Sequence, residues 1–298
     1  MSVDLPTYLA ARRRAVEEAL ARLLPPAEAH PPTIHEAMRY SVFAGGKRLR
    51  PVLVLAGAEV VGGRLDDVLP TACAFELIHT YSLIHDDLPA MDDDDYRRGR
   101  PTSHKVFGEA VAILAGDALL TLAFRLVAES FRDGRTDPAI LPRVLVEIAE
   151  AAGTAGMVGG QVVDIQSEGR VVEAAVLEDI HARKTGALIR AAVRTGALLA
   201  GAAPAPLAVL TTYGERLGLA FQIVDDILDV EGSLEALGKT AGSDRRKKKA
   251  TFPALHGLPA SKARAAALIA EAKAALVPLG PLAEPLAALA DYIMERKA

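Results

Sequence analysis

Residues 67–95 read DVLPTACAFELIHTYSLIHDDLPAMDDDD. The first twenty or so form one long helix that runs into a crowded acidic segment. Pro89 lacks an amide donor and its ring clashes with the preceding turn, so the helix ends near Asp86 and Asp87 and leaves Asp92 on irregular chain. Outward from there, helical periodicity covers almost everything. An N-terminal amphipathic helix over 7–23 is followed by a proline-bracketed loop to residue 32. A helix over 33–44 restarts after Thr33, an expected N-cap with Glu36 three positions on. Another begins at Pro51 and ends at Gly62-Gly63. Further helices are expected over 104–131, 138–158, 173–200, 205–230, 260–278 and from about 282. No strand alternation and no linker of domain-boundary length interrupts them, so the whole chain, 1–298, is expected to be a single all-α domain with short loops.

Composition agrees. Just over half of the 298 residues are apolar and only 4% are aromatic, which favours packed helices over sheets. The net charge of −4 argues against a nucleic-acid binder. A single cysteine, Cys73, excludes an intramolecular disulfide framework and a cysteine-based zinc site, and fits a reducing compartment. The N-terminal residues lack the apolar core of a signal peptide. No uncharged apolar stretch of about 18 residues suits a membrane span, so a cytoplasmic protein is expected.

The acidic segment carries six carboxylates between Asp86 and Asp95. Crowded carboxylates repel one another unless cations neutralise them. A second cluster, FQIVDDILD over 221–229, sets Asp225 and Asp229 four apart on a helix, with Gln222 three before Asp225, amid apolar neighbours. Partly buried like charges are costly without a counter-ion. With carboxylates as the only ligands on offer, and no D-x-D-x-D-G calcium loop, the pattern points to Mg²⁺. Mg²⁺ takes one or two carboxylates and completes its shell from substrate phosphate, which predicts a phosphorylated substrate.

Basic groups supply the counterpart. Lys47, Arg48 and Arg50 lie on a glycine-led turn, Arg97, Arg98 and Arg100 follow the first acidic cluster, and His181, Lys184 and Thr185 share a helix face by their spacing. These cations exceed what one phosphate needs and suit two diphosphates. Gly238-Lys239-Thr240 is not a P-loop, because Ser233 stands where its first glycine belongs. The run Arg245–Lys249 lacks the aromatics of a nucleic-acid patch and reads as a mobile cover over phosphates or a solvated loop.

Taken in order, GGKRLRP, HDDLPAMDDDDYRRGRPT, GDALL, GMVGGQVVD, HARKTGALI, FQIVDDILDV and KKKATFP resemble the short-chain trans-prenyl diphosphate synthases, bacterial farnesyl diphosphate synthases in particular. The resemblance runs from about residue 33 onward. It implies a helical bundle around a central cavity, a homodimer and about three Mg²⁺ ions with substrate bound. It implies that Asp86, Asp92 and Asp225 ligate metal, with Asp87, Asp226 and Asp229 as ligands or immediate supports. Lys47, Arg50, His79 and Arg98 would bind isopentenyl diphosphate. Arg97, Lys184, Lys239 and Lys249 would bind the allylic diphosphate. Thr185 and Gln222 would lie beside the reacting carbons and, with Lys184, serve the chemistry. Phe252 stands where the family commonly has Tyr, and the end of the chain, Arg296-Lys297-Ala298, differs from the family's basic tail.

The resemblance also implies that the growing chain runs beside the helix bearing Asp86, where a bulky residue at the Tyr81 position blocks chains beyond C15, with Ser82 one turn below Asp86. That favours a C15 product, with C20 or C10 as alternatives. Two rivals remain: a class I terpene cyclase, which would leave the GGKRLRP and RRGRPT cations without a second diphosphate, and a non-catalytic partner subunit, which would be free to lose aspartates that this chain keeps.

Overall fold

The computed structural model describes residues 3–132, 134–170, 172–231 and 250–296. Fourteen α-helices are defined among them: α1 (Leu5–Leu23), α2 (Pro32–Val42), α3 (Leu49–Glu59), α4 (Leu65–Asp86), α5 (Ser103–Phe107), α6 (Glu109–Glu129), α7 (Leu141–Ala152), α8 (Met157–Ser167), α9 (Ala174–His181), α10 (Ala187–Leu199), α11 (Pro204–Glu231), α12 (Phe252–His256), α13 (Leu258–Ala275) and α14 (Glu284–Glu295). The only strands among the described residues are β1 (Tyr96–Arg97) and β2 (Arg100–Pro101), an antiparallel ribbon. The all-α expectation holds.

Helix α4 is the hub. It packs along α6 and α3 and also meets α1, α2 and α10. Its middle is buried all round, from Thr71 to Ile78, as a central helix requires. Cys73 lies there, a free thiol with no exposed surface, and burial pushes its pKa up to about 12. Helices α3 and α10 approach more closely than side chains permit. A Cβ on Gly57 would lie 2.1 Å from the Val193 carbonyl oxygen, and one on Gly196 would lie 1.9 Å from that of Val54. Only glycine lets the two backbones touch.

Several boundaries differ from expectation. Thr33 does not cap α2; Pro32 opens the helix, because its fixed φ suits the first turn and it needs no amide partner. Helix α3 starts at Leu49, two residues before Pro51, after Arg48 in the left-handed region. The 104–131 stretch divides at Gly108, whose φ of 82° breaks the ladder between α5 and α6. The 138–158 stretch ends at Gly153, and α8 then begins at Met157 as a helix of its own.

One described helix, α6, is long and apolar enough to cross a membrane by length and composition. Asp117 and Arg125 interrupt its apolar sequence, so it holds no uncharged stretch of about 18 residues. Its inner face, including Ala112, Ala115 and Leu119, packs in the core, while Ile113, Leu114 and Phe124 are exposed.

Candidate active site

The first wall begins where α4 stops. Asp87 is its C-cap, and the following loop folds back onto the carbonyls a helix end leaves open. The Asp92 amide donates to the Asp86 carbonyl at 2.7 Å, and the Asp93 amide donates to Leu88 at 3.1 Å with Asp93 left-handed at φ 51°. This return brings Asp92 beside Asp86. The β1–β2 hairpin turns through Arg98 and Gly99, both at positive φ, as a two-residue hairpin demands. It delivers Arg97 to Asp87, where Nε donates to both carboxylate oxygens at 2.8 and 2.9 Å. Asp87 is only 3% exposed. Burial raises its pKa, against the lowering pull of Arg97. Two residues given separate roles from sequence, a metal ligand and a diphosphate contact, are thus each other's partners.

The glycine-led turn separates its three cations. Left-handed geometry at Arg48 (φ 52°) turns that side chain inward, where it is 2% exposed. It donates to Glu17 and Glu76 at 2.6 Å each and to the Val42 carbonyl at 2.7 Å. Arg48 is therefore a structural brace. Arg50 instead lines the central cavity, its pKa lowered to about 10 by burial. Burial also lowers Lys47. Arg98 donates to the Gly45 carbonyl. His79 is held well below its ordinary pKa by burial and then by Arg50 and Arg98, so it is neutral at physiological pH.

The second wall is α8, α9, α10 and α11. A π-helical turn, Ala182–Gly186, joins α9 to α10 and spoils the simple spacing expected for its side chains. His181 faces Asp226 at 3.4 Å and stacks on Phe252. Burial lowers its pKa to about 4. Lys184 Nζ donates to Asp164 at 2.7 Å, and Thr185 Oγ1 donates to Gln222 Oε1 at 2.8 Å. Gln222 Nε2 in turn donates to Asp226 at 3.1 Å, so the glutamine aligns with Asp226 rather than with the Asp225 face. Asp226 also accepts the Phe252 amide at 2.9 Å, which ties α11 to α12. Asp229 is buried and Asp225 is half-buried. Asp225 accepts from Arg296 at 2.5 Å.

Between the walls lies a cavity of about 400 Å³. Arg50, His79, Tyr81, Ser82, Asp86, Lys184 and Thr185 all line it, and its remaining surface is largely apolar, including Met157, Val158, Val162 and Ile165. Asp87, Arg97 and Arg98 line a smaller neighbouring pocket. Lys239 and Lys249, also named from sequence, lie outside the described residues, as do Gly238–Thr240 and the Arg245–Lys249 run. The donors that could hold a metal are carboxylate oxygens, Asp86 and Asp92 on one wall and Asp225 on the other, which fits a hard cation such as Mg²⁺. On the solvent side of the first wall, Asp93, Asp95 and His104 also gather within 4.8 Å, with Asp95 paired to Lys105 at 2.7 Å.

Residues 31–275 match the family model of the polyprenyl synthetases. The chain belongs to the polyprenyl synthetase family. Within that family it is 48% identical to the farnesyl diphosphate synthase of Escherichia coli, with 99% of each chain covered. It is 47% identical to the geranylgeranyl diphosphate synthase of Cyanophora paradoxa, covering 98% of this chain and 97% of the relative. Among solved structures, the geranylgeranyl pyrophosphate synthetase of Pyrococcus horikoshii superposes with a TM-score of 0.88 at 32% identity, over 98% of each chain. The polyprenyl synthetase reading thus makes this chain a prenyltransferase of isoprenoid biosynthesis.

Sequence reasoning gave the polyprenyl synthetase segment GMVGGQVVD no residue roles. Asp164, the lone carboxylate of the apolar run Val162-Val163-Asp164-Ile165, is the partner of Lys184. Its glycines have a part too: a Cβ on Gly160 would lie 2.4 Å from the Lys184 amide nitrogen, so α8 seats directly on the π turn. A carboxylate isolated in an apolar stretch was the available signal. Arg296 carried no comparable signal.

Proposed function

We propose that this synthetase condenses isopentenyl diphosphate head-to-tail with dimethylallyl and then geranyl diphosphate, and that farnesyl diphosphate is its main product. The observation that carries this reading is the apolar cavity beside α4, with Asp86 at its charged mouth and Tyr81 in its wall. Asp86, Asp92 and Asp225 would hold Mg²⁺, three ions with substrate bound. Bound Mg²⁺ supplies Lewis-acid chemistry at the departing diphosphate.

The chain's own groups do the rest. Lys184, and in this reading Arg97, Lys239 and Lys249, place positive charge on the allylic diphosphate. Lys47, Arg50, His79 and Arg98 hold isopentenyl diphosphate. Neutral His79 contributes a hydrogen bond rather than a charge. The Thr185 hydroxyl commits its proton to Gln222, which leaves its lone pairs for the cavity it lines. Those lone pairs are the negative end of a fixed dipole, suited to an allylic carbocation. Apolar walls exclude the water that would capture that cation. The double bond of isopentenyl diphosphate then attacks, and the lost proton passes to the released pyrophosphate.

Tyr81 lies five residues before Asp86, about 7.5 Å along the helix axis. It is buried and meets His85 edge to face, so it is a firm floor. Ser82, which donates to the His79 carbonyl, leaves the wall beside it small. A C20 product is the second reading, favoured by the geranylgeranyl diphosphate synthase among the relatives. The exposed apolar stripe of α6, Ile113, Leu114 and Phe124, supports a homodimer. The free, buried Cys73 supports a cytoplasmic setting.

The test is incubation with isopentenyl and dimethylallyl diphosphates and Mg²⁺, with and without chelator, followed by product identification. A C15 product that disappears with chelator is expected. A cyclic hydrocarbon or no product overturns the reading. Tyr81→Ala should lengthen the products; an unchanged distribution removes Tyr81 as the floor.

A further inference from the structure

Arg296 follows directly on α14 and leaves the helix in an extended conformation (φ −61°, ψ 141°). Its side chain nevertheless goes inward and is only 5% exposed. One nitrogen, Nη2, donates to Asp225 Oδ1 at 2.5 Å and to the Phe221 carbonyl at 2.9 Å. The guanidinium carbon lies 3.9 Å from the centre of the Phe221 ring. Arg296 Nε is buried with no hydrogen-bond partner among the described residues. The side chain is thus inserted at a cost to its own hydrogen bonding, and what it gains is a carboxylate and an aromatic face.

We propose that the Arg296 guanidinium is a resident counter-ion of Asp225, held against that carboxylate until a divalent metal ion displaces it, so that metal entry and release of Arg296 are one exchange. The inference rests on the reading of Asp225 as a metal ligand. Its physical basis is simple. A half-buried carboxylate in an apolar helical wall is stabilised by a close cation, because partial burial makes an uncompensated charge there costly. Before metal arrives, Arg296 meets that need. A dication on the same carboxylate would stand within a few ångströms of the guanidinium, and two like charges at that range repel strongly in a partly dry site. One of them leaves. Arg296 lies on extended backbone just outside α14, whereas Asp225 is held within α11 between the buried Val224 and Asp226. Lys47 is within electrostatic reach of the same guanidinium, which adds to the lowering of its pKa by burial. A released Arg296 therefore also relieves the basic turn.

A static brace tying α11 to the end of the chain would use the same contacts, and metal binding separates the two. Mn²⁺ is titrated, with inorganic pyrophosphate present, into the full chain and into Arg296→Gln, Arg296→Lys and Asp225→Asn, and free Mn²⁺ is read by electron paramagnetic resonance. If Arg296 occupies the site in about nine molecules of ten, removing its charge tightens apparent Mn²⁺ binding about tenfold. Arg296→Gln should show that gain. Arg296→Lys, which keeps a cation without the planar fork, should fall between Arg296→Gln and the unaltered protein. In an Asp225→Asn background the gain from Arg296→Gln should vanish. Unchanged or weaker Mn²⁺ binding in Arg296→Gln, with Asp225→Asn still weakening it, overturns the exchange and leaves the metal reading intact. Should Arg296→Gln fail to fold, Arg296→Lys decides by the same sign. If Asp225→Asn binds Mn²⁺ normally, the metal reading of Asp225 itself falls, and the exchange with it.

Discussion

The two aspartate clusters have the same chemistry and are held in place by different means. Asp86, Asp87 and Asp92 sit where α4 ends, on backbone that doubles back through a left-handed Asp93 and is pinned by the Arg97 fork on Asp87. Asp225, Asp226 and Asp229 stand in the last two turns of α11, set by the packing of Ile223, Val224 and Ile227. The first wall is positioned by hydrogen bonds at a helix end, the second by burial along a helix. Hydrogen-bonded loops open locally at little cost, whereas a buried helix opens only with much of the core. The first wall is therefore the adjustable side of the cavity and the second the anvil.

The largest effects test whether both walls are needed. Asp86→Ala and Asp225→Ala should each lower turnover on the order of 10²–10³-fold, as removal of a key electrostatic group does. Wild-type-like turnover in Asp225→Ala would leave a one-walled site. Next comes the pin. Arg97→Ala leaves Asp87 buried without its fork and should cost roughly 2–3 kcal/mol in urea unfolding. An unchanged midpoint would mean that the loop, not the arginine, holds the first wall.

Acid separates the walls by sign. His181, on the second, has its pKa lowered from 6.5 to about 4. Between those values the unfolded chain binds the extra proton, so stability falls as pH drops through that window, by about 2 kcal/mol between pH 7 and 5. Asp87, on the first, has a raised pKa, so the fold keeps its proton to higher pH than the unfolded chain, and acid favours the folded state there. His181→Leu should flatten the acid loss; a slope unchanged by that substitution assigns the loss elsewhere. The smallest effect belongs to the rim. Lys105 pairs with Asp95 in full solvent, and Lys105→Ala should leave the melting temperature unaltered.

Much of this was legible in the sequence because helical periodicity and Pro89 are local signals. The end of α4 at Asp86, the break before Asp92 and the apolar setting of Asp225 follow from residue types within a few positions. Arg48 was not legible: its charge equals that of Lys47 and Arg50, and only a left-handed φ turns it toward Glu76. The pairing of Arg97 with Asp87 depends on a hairpin too short to register as alternation. The π turn at Ala182–Gly186 breaks the 3.6-residue spacing that a pattern reading assumes, so Lys184 finds Asp164 and Thr185 finds Gln222 from different directions. Helix α8 was hidden because Gly153 and Gly156 punctuate a stretch whose apolar pattern continues across them.

Cys73 has no part in the chemistry, and that makes it useful. Its sulfur lies at the centre of α4, about three and a half turns before Asp86, with no accessible surface and a thiol kept protonated by burial. A thiol reagent can reach it only when the hub helix comes away from its neighbours. The rate at which a thiol reagent labels the native protein is therefore a clock for excursions of the core, and it runs in the presence of substrates without any substitution in the chain. If ligands close the two walls on each other, the clock slows; if they act on the loops alone, it keeps its pace.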